Sequence, residues 1–338
     1  MKAFFIDEPG KTSFRDIPKP AVREGEVLLK LKRVGYCGSD LNTYRGRNPL
    51  VSYPRIPGHE IAAYIEEIGP GVPDLFSPGE LITAVPYTNC GKCGGCLKNR
   101  PNVCEFNETL GVQREGSMTE YISLPYQKIL KVNTEDPNVA AMIEPLAVGF
   151  HAARRGRPEK GETVVIFGCG LIGVGAILKS LRSGATVIAV DIDNGKLELA
   201  KTLGAHHVIN SAEEDLQARV KELTEGIGPD LALEAVGFEG TYVQAIDVVS
   251  YAGRVVYVGY ANGPVTYETK KFLLKELDIC GSRGSEAEDF MDVIDMLEED
   301  VIDINLLITR VVPFNEAGEA IAAWSENPGA VTKLILDL

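Results

Sequence analysis

Cys90, Cys93, Cys96 and Cys104 stand at C-x2-C-x2-C-x7-C spacing within YTNCGKCGGCLKNRPNVC. Four thiolates this close along a chain can close a tetrahedral shell around one soft dication, with sulfur at about 2.3 Å, and the pattern reads as a structural zinc site. Gly91, Gly94 and Gly95 give the links between them freedom to wrap an ion. A second set of ligand types lies upstream, Cys37 in GYCGSD and His59 with Glu60 in IPGHE. One thiolate, one imidazole and one carboxylate can bind zinc and leave a position open for substrate. Each is weak alone, since a single cysteine is most often packing; beside a thiolate cluster the set gains weight.

A third pattern suits a phosphate. Gly168-Cys169-Gly170-Leu171-Ile172-Gly173 follows TVVIF and precedes GVGAILKSL, so a G-x-G-x-x-G falls between a strand and a helix, and Asp191 closes the next strand, TVIAVD. That context is the one a dinucleotide fingerprint requires. Gly168 permits the tight turn, Gly170 removes a Cβ from the path of the pyrophosphate, Gly173 lets helix and strand approach, and the helix N-terminus attracts the phosphates. Asp191 is placed to accept hydrogen bonds from ribose hydroxyls and would repel a 2′-phosphate, which favours NAD over NADP; Lys196 keeps NADP open. Val236, Gly237, Val258 and Gly259 close two later strands and join the cofactor-binding candidates. Cys169, inside the motif, reads as a small buried filler.

These residues need two kinds of scaffold. From Glu26 to about Lys131, EVLLKLKRV, EIAAYIEEIG, ELITAVPY and MTEYISLP are strand-like runs separated by proline and glycine turns, which predicts a β-rich half. From Thr163, the short runs TVVIF, TVIAV, HHVIN, DLALEAV, RVVYV and LDICG alternate with amphipathic stretches such as NGKLELAKTLGA and SAEEDLQARVKELTEG, which predicts a parallel, doubly wound α/β sheet. The tail, with helices near 287–298 and 316–325 and the final strand TKLILDL, is too short to fold alone and is expected to return to the first domain.

Composition narrows the classes. A chain of 338 residues with 45% hydrophobic and 24% charged residues suits a globular protein of two domains. Its formal net charge of −14 argues against nucleic acid as partner. No apolar run reaches the roughly 20 residues that span a bilayer, so no membrane association is expected. An odd, clustered set of seven cysteines fits metal binding in a reducing cytoplasm rather than a disulfide framework.

With GYCGSD, GHEIAAYIEEIGPGV, the four-cysteine lobe, LGVQREGSMTEYI, IEPLAVGFHAARR and FGCGLIG in place, the chain resembles the zinc-dependent medium-chain dehydrogenases over essentially its whole length. Ala63 stands where that family usually has glycine. The resemblance implies a GroES-like catalytic domain over residues 1–146 and 285–338, with a zinc lobe at about 88–106, and a Rossmann NAD-binding domain over 147–284. It implies one catalytic zinc, held by Cys37 and His59 with Glu60 as an exchangeable third ligand, and one structural zinc in the lobe. Glu144 of IEPL matches the glutamate that meets the zinc or its bound water in the polyol and sugar-acid branch. Ser39 matches the relay hydroxyl that passes on the alcohol proton. The next relay position, usually histidine, is Asn42, and an amide takes up no proton at neutral pH, so Glu144 is the expected base.

Arg114 in GVQREG and Arg283 in CGSRGS match regions that border the substrate cleft, and Tyr44 follows the Cys37 loop. A guanidinium is a planar, always-charged fork suited to a carboxylate or to vicinal hydroxyls. The leading expectation is a hexonate such as L-galactonate, L-gulonate or L-idonate, oxidised at the C5 hydroxyl to a keto acid. A polyol of the sorbitol or galactitol type is second and L-threonine third, and a homotetramer is expected ahead of a dimer. A non-catalytic nucleotide-binding relative is the reading from another class; it predicts lost zinc ligands or glycines, and none is lost.

Overall fold

The computed structural model describes residues 1–261, 263–299 and 302–338. Contacts divide the chain into a unit of residues 1–144 with 293–338 and a unit of residues 145–292.

The first unit is built on a seven-stranded sheet. Arg310–Pro313, Leu334–Asp337, Glu26–Gly35, Glu60–Ile68, Leu81–Ala84 and Ile129–Lys131 lie in that order, and Tyr121–Pro125 also pairs with Glu26–Gly35. Leu334–Asp337 runs antiparallel to Glu26–Gly35 and brings the end of the chain beside Gly35. Alternate residues of these strands, Val27, Leu29, Leu31, Ile61, Ala63 and Ile65, pack into one core. Ala63 sits fully buried there, across from Leu31 and Ile82. The sequence reading begins the β-rich half at Glu26, yet a hairpin, Lys2–Glu8 with Lys11–Asp16, precedes it. Its turn, Pro9-Gly10, uses the left-handed φ of +77° at Gly10, which glycine adopts without penalty.

The helix Pro137–Gly156 contains Pro145, although proline usually ends a helix near the preceding residue. Glu144 is therefore within a helix and not at its end.

In the second unit six strands run parallel, ordered His207–Asn210, Thr186–Asp191, Thr163–Phe167, Leu231–Glu234, Arg254–Tyr257, Asp278–Gly281. Counted along the chain this is 3-2-1-4-5-6, the doubly wound dinucleotide-binding order, whose switch point falls between the first and fourth strands. Both faces are apolar. Val164, Ile166, Val187 and Ala189 pack into one cluster, and Val165, Phe167, Ile188 and Val190 into the other. Continuous β-branched runs are what a sheet covered on both faces demands.

Candidate active site

Cys37 stands at the N-terminus of the helix Gly38–Tyr44, and His59 directly precedes the strand Glu60–Ile68. The donor atoms of Cys37, His59 and Glu60 all lie within 4.8 Å of one another. Asp40, 1% exposed, ties the two segments together: Oδ2 accepts the N–H of Cys37 at 2.8 Å and Oδ1 that of Gly58 at 3.1 Å. Gly35 leaves the room, since a Cβ there would stand 1.9 Å from Glu60 Oε2.

Both oxygens of Glu60 accept from Lys333 Nζ, at 2.7 and 2.6 Å, and Lys333 also donates to the carbonyl of Tyr36 at 2.9 Å. The pair is buried, so Lys333 competes with any metal ion for this carboxylate. Glu144, 3% exposed, accepts a hydrogen bond from the Tyr87 hydroxyl on Oε1. Burial lifts its pKa above the usual carboxylate range, with Glu60 adding to the rise and His59, Tyr87 and Lys333 opposing it. At His59 burial disfavours the charged ring, but Cys37, Glu144 and Asp40 outweigh it and hold the pKa well above the usual value. Negative groups gathered around a buried imidazole whose Nδ1 lacks a hydrogen-bond partner fit a dication. Ser39 Oγ is also buried without a partner, as a relay hydroxyl awaiting substrate would be. Asn42 is exposed, and Tyr44 is half-buried against the core.

The lobe cysteines also lie within 4.8 Å of one another. Cys93 Sγ is 3.5 Å from Cys96 Sγ and 3.8 Å from Cys104 Sγ. A tetrahedron with zinc–sulfur bonds of about 2.3 Å spaces its sulfurs at about 3.8 Å. Backbone N–H groups of Cys93 and Lys92 point at Cys90 Sγ, and those of Cys90 and Phe106 at Cys104 Sγ. Hydrogen bonds from the N–H groups of Cys96 and Glu105 pull the Cys93 thiol down to about 6, while burial pushes Cys96 up to about 11. The shell fits zinc. His151, Glu286 and Asp289 form a third grouping, but Arg154 sits among its carboxylates, donating to Asp289 at 2.7 Å, and already supplies the cation.

In the second unit, Gly168 has φ +93°, and a Cβ on Gly173 would fall 1.7 Å from Gly168 O. Nothing lies within 4 Å of a Cβ built on Gly170, which leaves open space at the N-terminus of the helix Leu171–Arg182. That cradle fits a pyrophosphate. Asp191 accepts the N–H of Cys169 at 2.7 Å, which joins the strand end to the glycine turn. Lys196 lies one turn into the next helix, its N–H capped by Asp193. Val236 and Gly237 follow the fourth strand and Val258 and Gly259 the fifth, so close together that a Cβ on Gly259 would stand 2.3 Å from Gly237 N. Cys169 is fully buried, and burial pushes its thiol up to about 12, in keeping with a filler.

Arg114 is half-buried on a turn closed by Gly111 N–H to its carbonyl at 2.9 Å. The turn lies on the segment before His59: Gly116, Ser117 and Met118 donate to Ile56, Gly58 and Pro57, and Glu115 accepts the N–H of Ile56 at 2.7 Å. Arg283 is exposed in the second unit, after the strand Asp278–Gly281. Three residues of the metal site, Asp40, Tyr87 and Lys333, carry no role in the sequence reading. Only Asp40 had a signal, its place in GYCGSD.

A β-rich unit with two donor sets that could hold a metal, in one chain with a sheet of dinucleotide-binding order, is the combination expected of a metal-dependent oxidoreductase. Residues 23–134 match the alcohol dehydrogenase GroES-like domain and residues 172–299 the zinc-binding dehydrogenase family. The chain is 33% identical over 305 residues to L-galactonate-5-dehydrogenase of Escherichia coli K12, covering 90% of this chain and 89% of that one. An alcohol dehydrogenase of E. coli CFT073, solved with NADH, superposes with a TM-score of 0.92 at 32% identity, over 100% of this chain and 99% of the other. A zinc-binding dehydrogenase of Sinorhizobium meliloti, solved with NADP, does so at 0.91 and 28%, over 100% and 99%. Galactitol-1-phosphate dehydrogenase of E. coli gives 0.92 at 29% identity over 100% of both chains. This chain belongs to the zinc-type medium-chain alcohol dehydrogenases, in their polyol branch, and is an oxidoreductase acting on CH–OH groups.

Proposed function

We propose that the chain oxidises the C5 hydroxyl of a hexonate, such as L-galactonate, L-gulonate or L-idonate, to a keto acid with NAD as hydride acceptor. Arg114 carries this reading. Its guanidinium is half-buried with Nε unpartnered, on a turn laid against the residues that lead into His59. A fixed, unspent cation there suits a substrate carboxylate. A polyol is the second reading, supported by the structural likeness to a polyol-phosphate enzyme.

When bound, zinc would supply Lewis acidity at the alcohol oxygen and the dinucleotide a hydride acceptor. Cys37 and His59 would hold the ion, and Lys333, which donates to both oxygens of Glu60, would keep that carboxylate from neutralising the ion's charge. Glu144, whose Oε1 accepts from the Tyr87 hydroxyl, takes up the alcohol proton as base, and Ser39 Oγ is the relay hydroxyl. Asp191 at the strand end favours NAD. The exposed Leu273 and Leu274 beside the edge strand Asp278–Gly281 suit a homotetramer, with a dimer as the smaller alternative. Seven free cysteines suit a reducing cytoplasm, and among the described residues no helix is long and apolar enough to cross a membrane.

The test is NAD⁺ and NADP⁺ reduction across hexonates, polyols, threonine and simple alcohols, with and without a zinc chelator. Highest kcat/KM for a hexonate with NAD⁺ is expected; a simple alcohol or threonine in first place would end the reading.

A further inference from the structure

Lys128 ends the short turn Tyr126–Lys128 ahead of the strand Ile129–Lys131. Its carbonyl accepts the N–H of Val85 at 2.8 Å, and the carbonyl of Pro86 accepts that of Leu110 at 3.1 Å. Leu110 bridges Arg114, and Tyr87 bridges Thr109. The segment Val85, Pro86, Tyr87 therefore runs between Lys128 on one side and the Arg114 turn on the other, and its tyrosine reaches Glu144.

Both cations are half-buried, and neither forms an ion pair among the described residues. Lys128 Nζ donates to a neutral acceptor, Asn89 Oδ1, at 3.0 Å, and Arg114 Nε is buried with no partner. Burial lowers the pKa of each, and the charge of Arg114 lowers Lys128 further; Glu108 is the acid whose field reaches Arg114. In a chain of net charge −14, two half-buried cations that repel one another and form no ion pair among the described residues are a cost to the fold. An anion between them would remove it.

We propose that Lys128 and Arg114 form one two-cation subsite for the oxyanion at the end of the substrate, with Lys128 as a specificity residue. Arg114 offers the planar fork and Lys128 a second, mobile point charge. The proposal rests on the reading that a polyol-like alcohol is oxidised at the Cys37 and His59 site, and not on which oxyanion that alcohol carries. A carboxylate brings one negative charge and a phosphate monoester nearly two at neutral pH, so the experiment separates them.

Zinc-loaded wild-type, Lys128→Gln and Lys128→Arg proteins are to be assayed with L-galactonate, galactitol 1-phosphate and galactitol. The expected result in Lys128→Gln is a fall of at least about tenfold in kcat/KM for an anionic substrate relative to galactitol, carried by KM, with recovery in Lys128→Arg. The substrate with the larger fall identifies the oxyanion. A ratio unchanged within about twofold overturns the proposal. If none of the three is oxidised, L-galactonate is excluded as the substrate, and calorimetry with inorganic phosphate decides this one. Binding weakened at least about tenfold by Lys128→Gln supports it, and equal affinity overturns it.

Discussion

The two cysteine-containing clusters of the β-rich unit solve the same electrostatic problem in opposite ways. The lobe presents four like ligands from Cys90 to Cys104, with backbone N–H groups aimed at its sulfurs. Every donor is spent, and no place remains for a substrate. The other cluster draws Cys37, His59, Glu60 and Glu144 from three separate elements, and three of these side chains or their segments are tied from outside: Cys37 by Asp40, Glu60 by Lys333 and Glu144 by Tyr87. Unlike ligands held from outside can change partners, whereas a closed shell of thiolates holds its shape. On the proposed function, the first arrangement would stabilise and the second would react.

Exchanging residues in the two clusters is the sharpest way to break this contrast. Cys37→Ser should lower kcat/KM on the order of 10³-fold or more, because a lost metal Lewis acid is worth several kcal/mol of transition-state stabilisation. Steady-state kinetics on protein of wild-type circular dichroism would check it. Glu144→Gln keeps the size of the side chain and removes the base, so kcat should fall by about 10²-fold, within the usual range for general base catalysis. Retention of full activity at neutral pH would take the base role from Glu144. Asp40→Asn leaves all ligands in place but loosens their support, and zinc affinity at this site should fall by about 10- to 100-fold in a chelator competition. The smallest effect on rate is expected from Cys93→Ser, which should change kcat by less than about threefold per folded chain. It should instead lower the midpoint of thermal unfolding, because structural zinc contributes to folding. A rate loss as large as that of Cys37→Ser would erase the distinction.

The parts legible in the sequence are those set by neighbours along the chain. The cysteine spacing, the glycines between Phe167 and Leu171 and the β-branched runs each encode local geometry, and the structure places them in a sulfur shell, a phosphate cradle and a parallel sheet. Lys333 was hidden because its partner lies 273 residues away, and it reads as the start of an apolar strand. Tyr87 was hidden for the same reason: its contact with Glu144 exists only once the helix Pro137–Gly156 packs. Pro145 is a residue type that usually ends a helix, and the helix Pro137–Gly156 continues through it. The N-terminal hairpin escaped notice because its second strand, KTSFRD, is polar and mostly exposed, with too little alternation to mark it as a strand.

Metal analysis joined to activity tests the central claim most directly. Zinc content, kcat and thermal midpoint are to be measured on wild-type, Cys37→Ser and Cys93→Ser proteins purified side by side. Each variant is predicted to lose the zinc of its own cluster only, with activity following Cys37 and thermal stability following Cys93. Activity that tracked the zinc of the lobe, or a Cys37→Ser protein that lost no zinc, would contradict the division of labour between the two clusters.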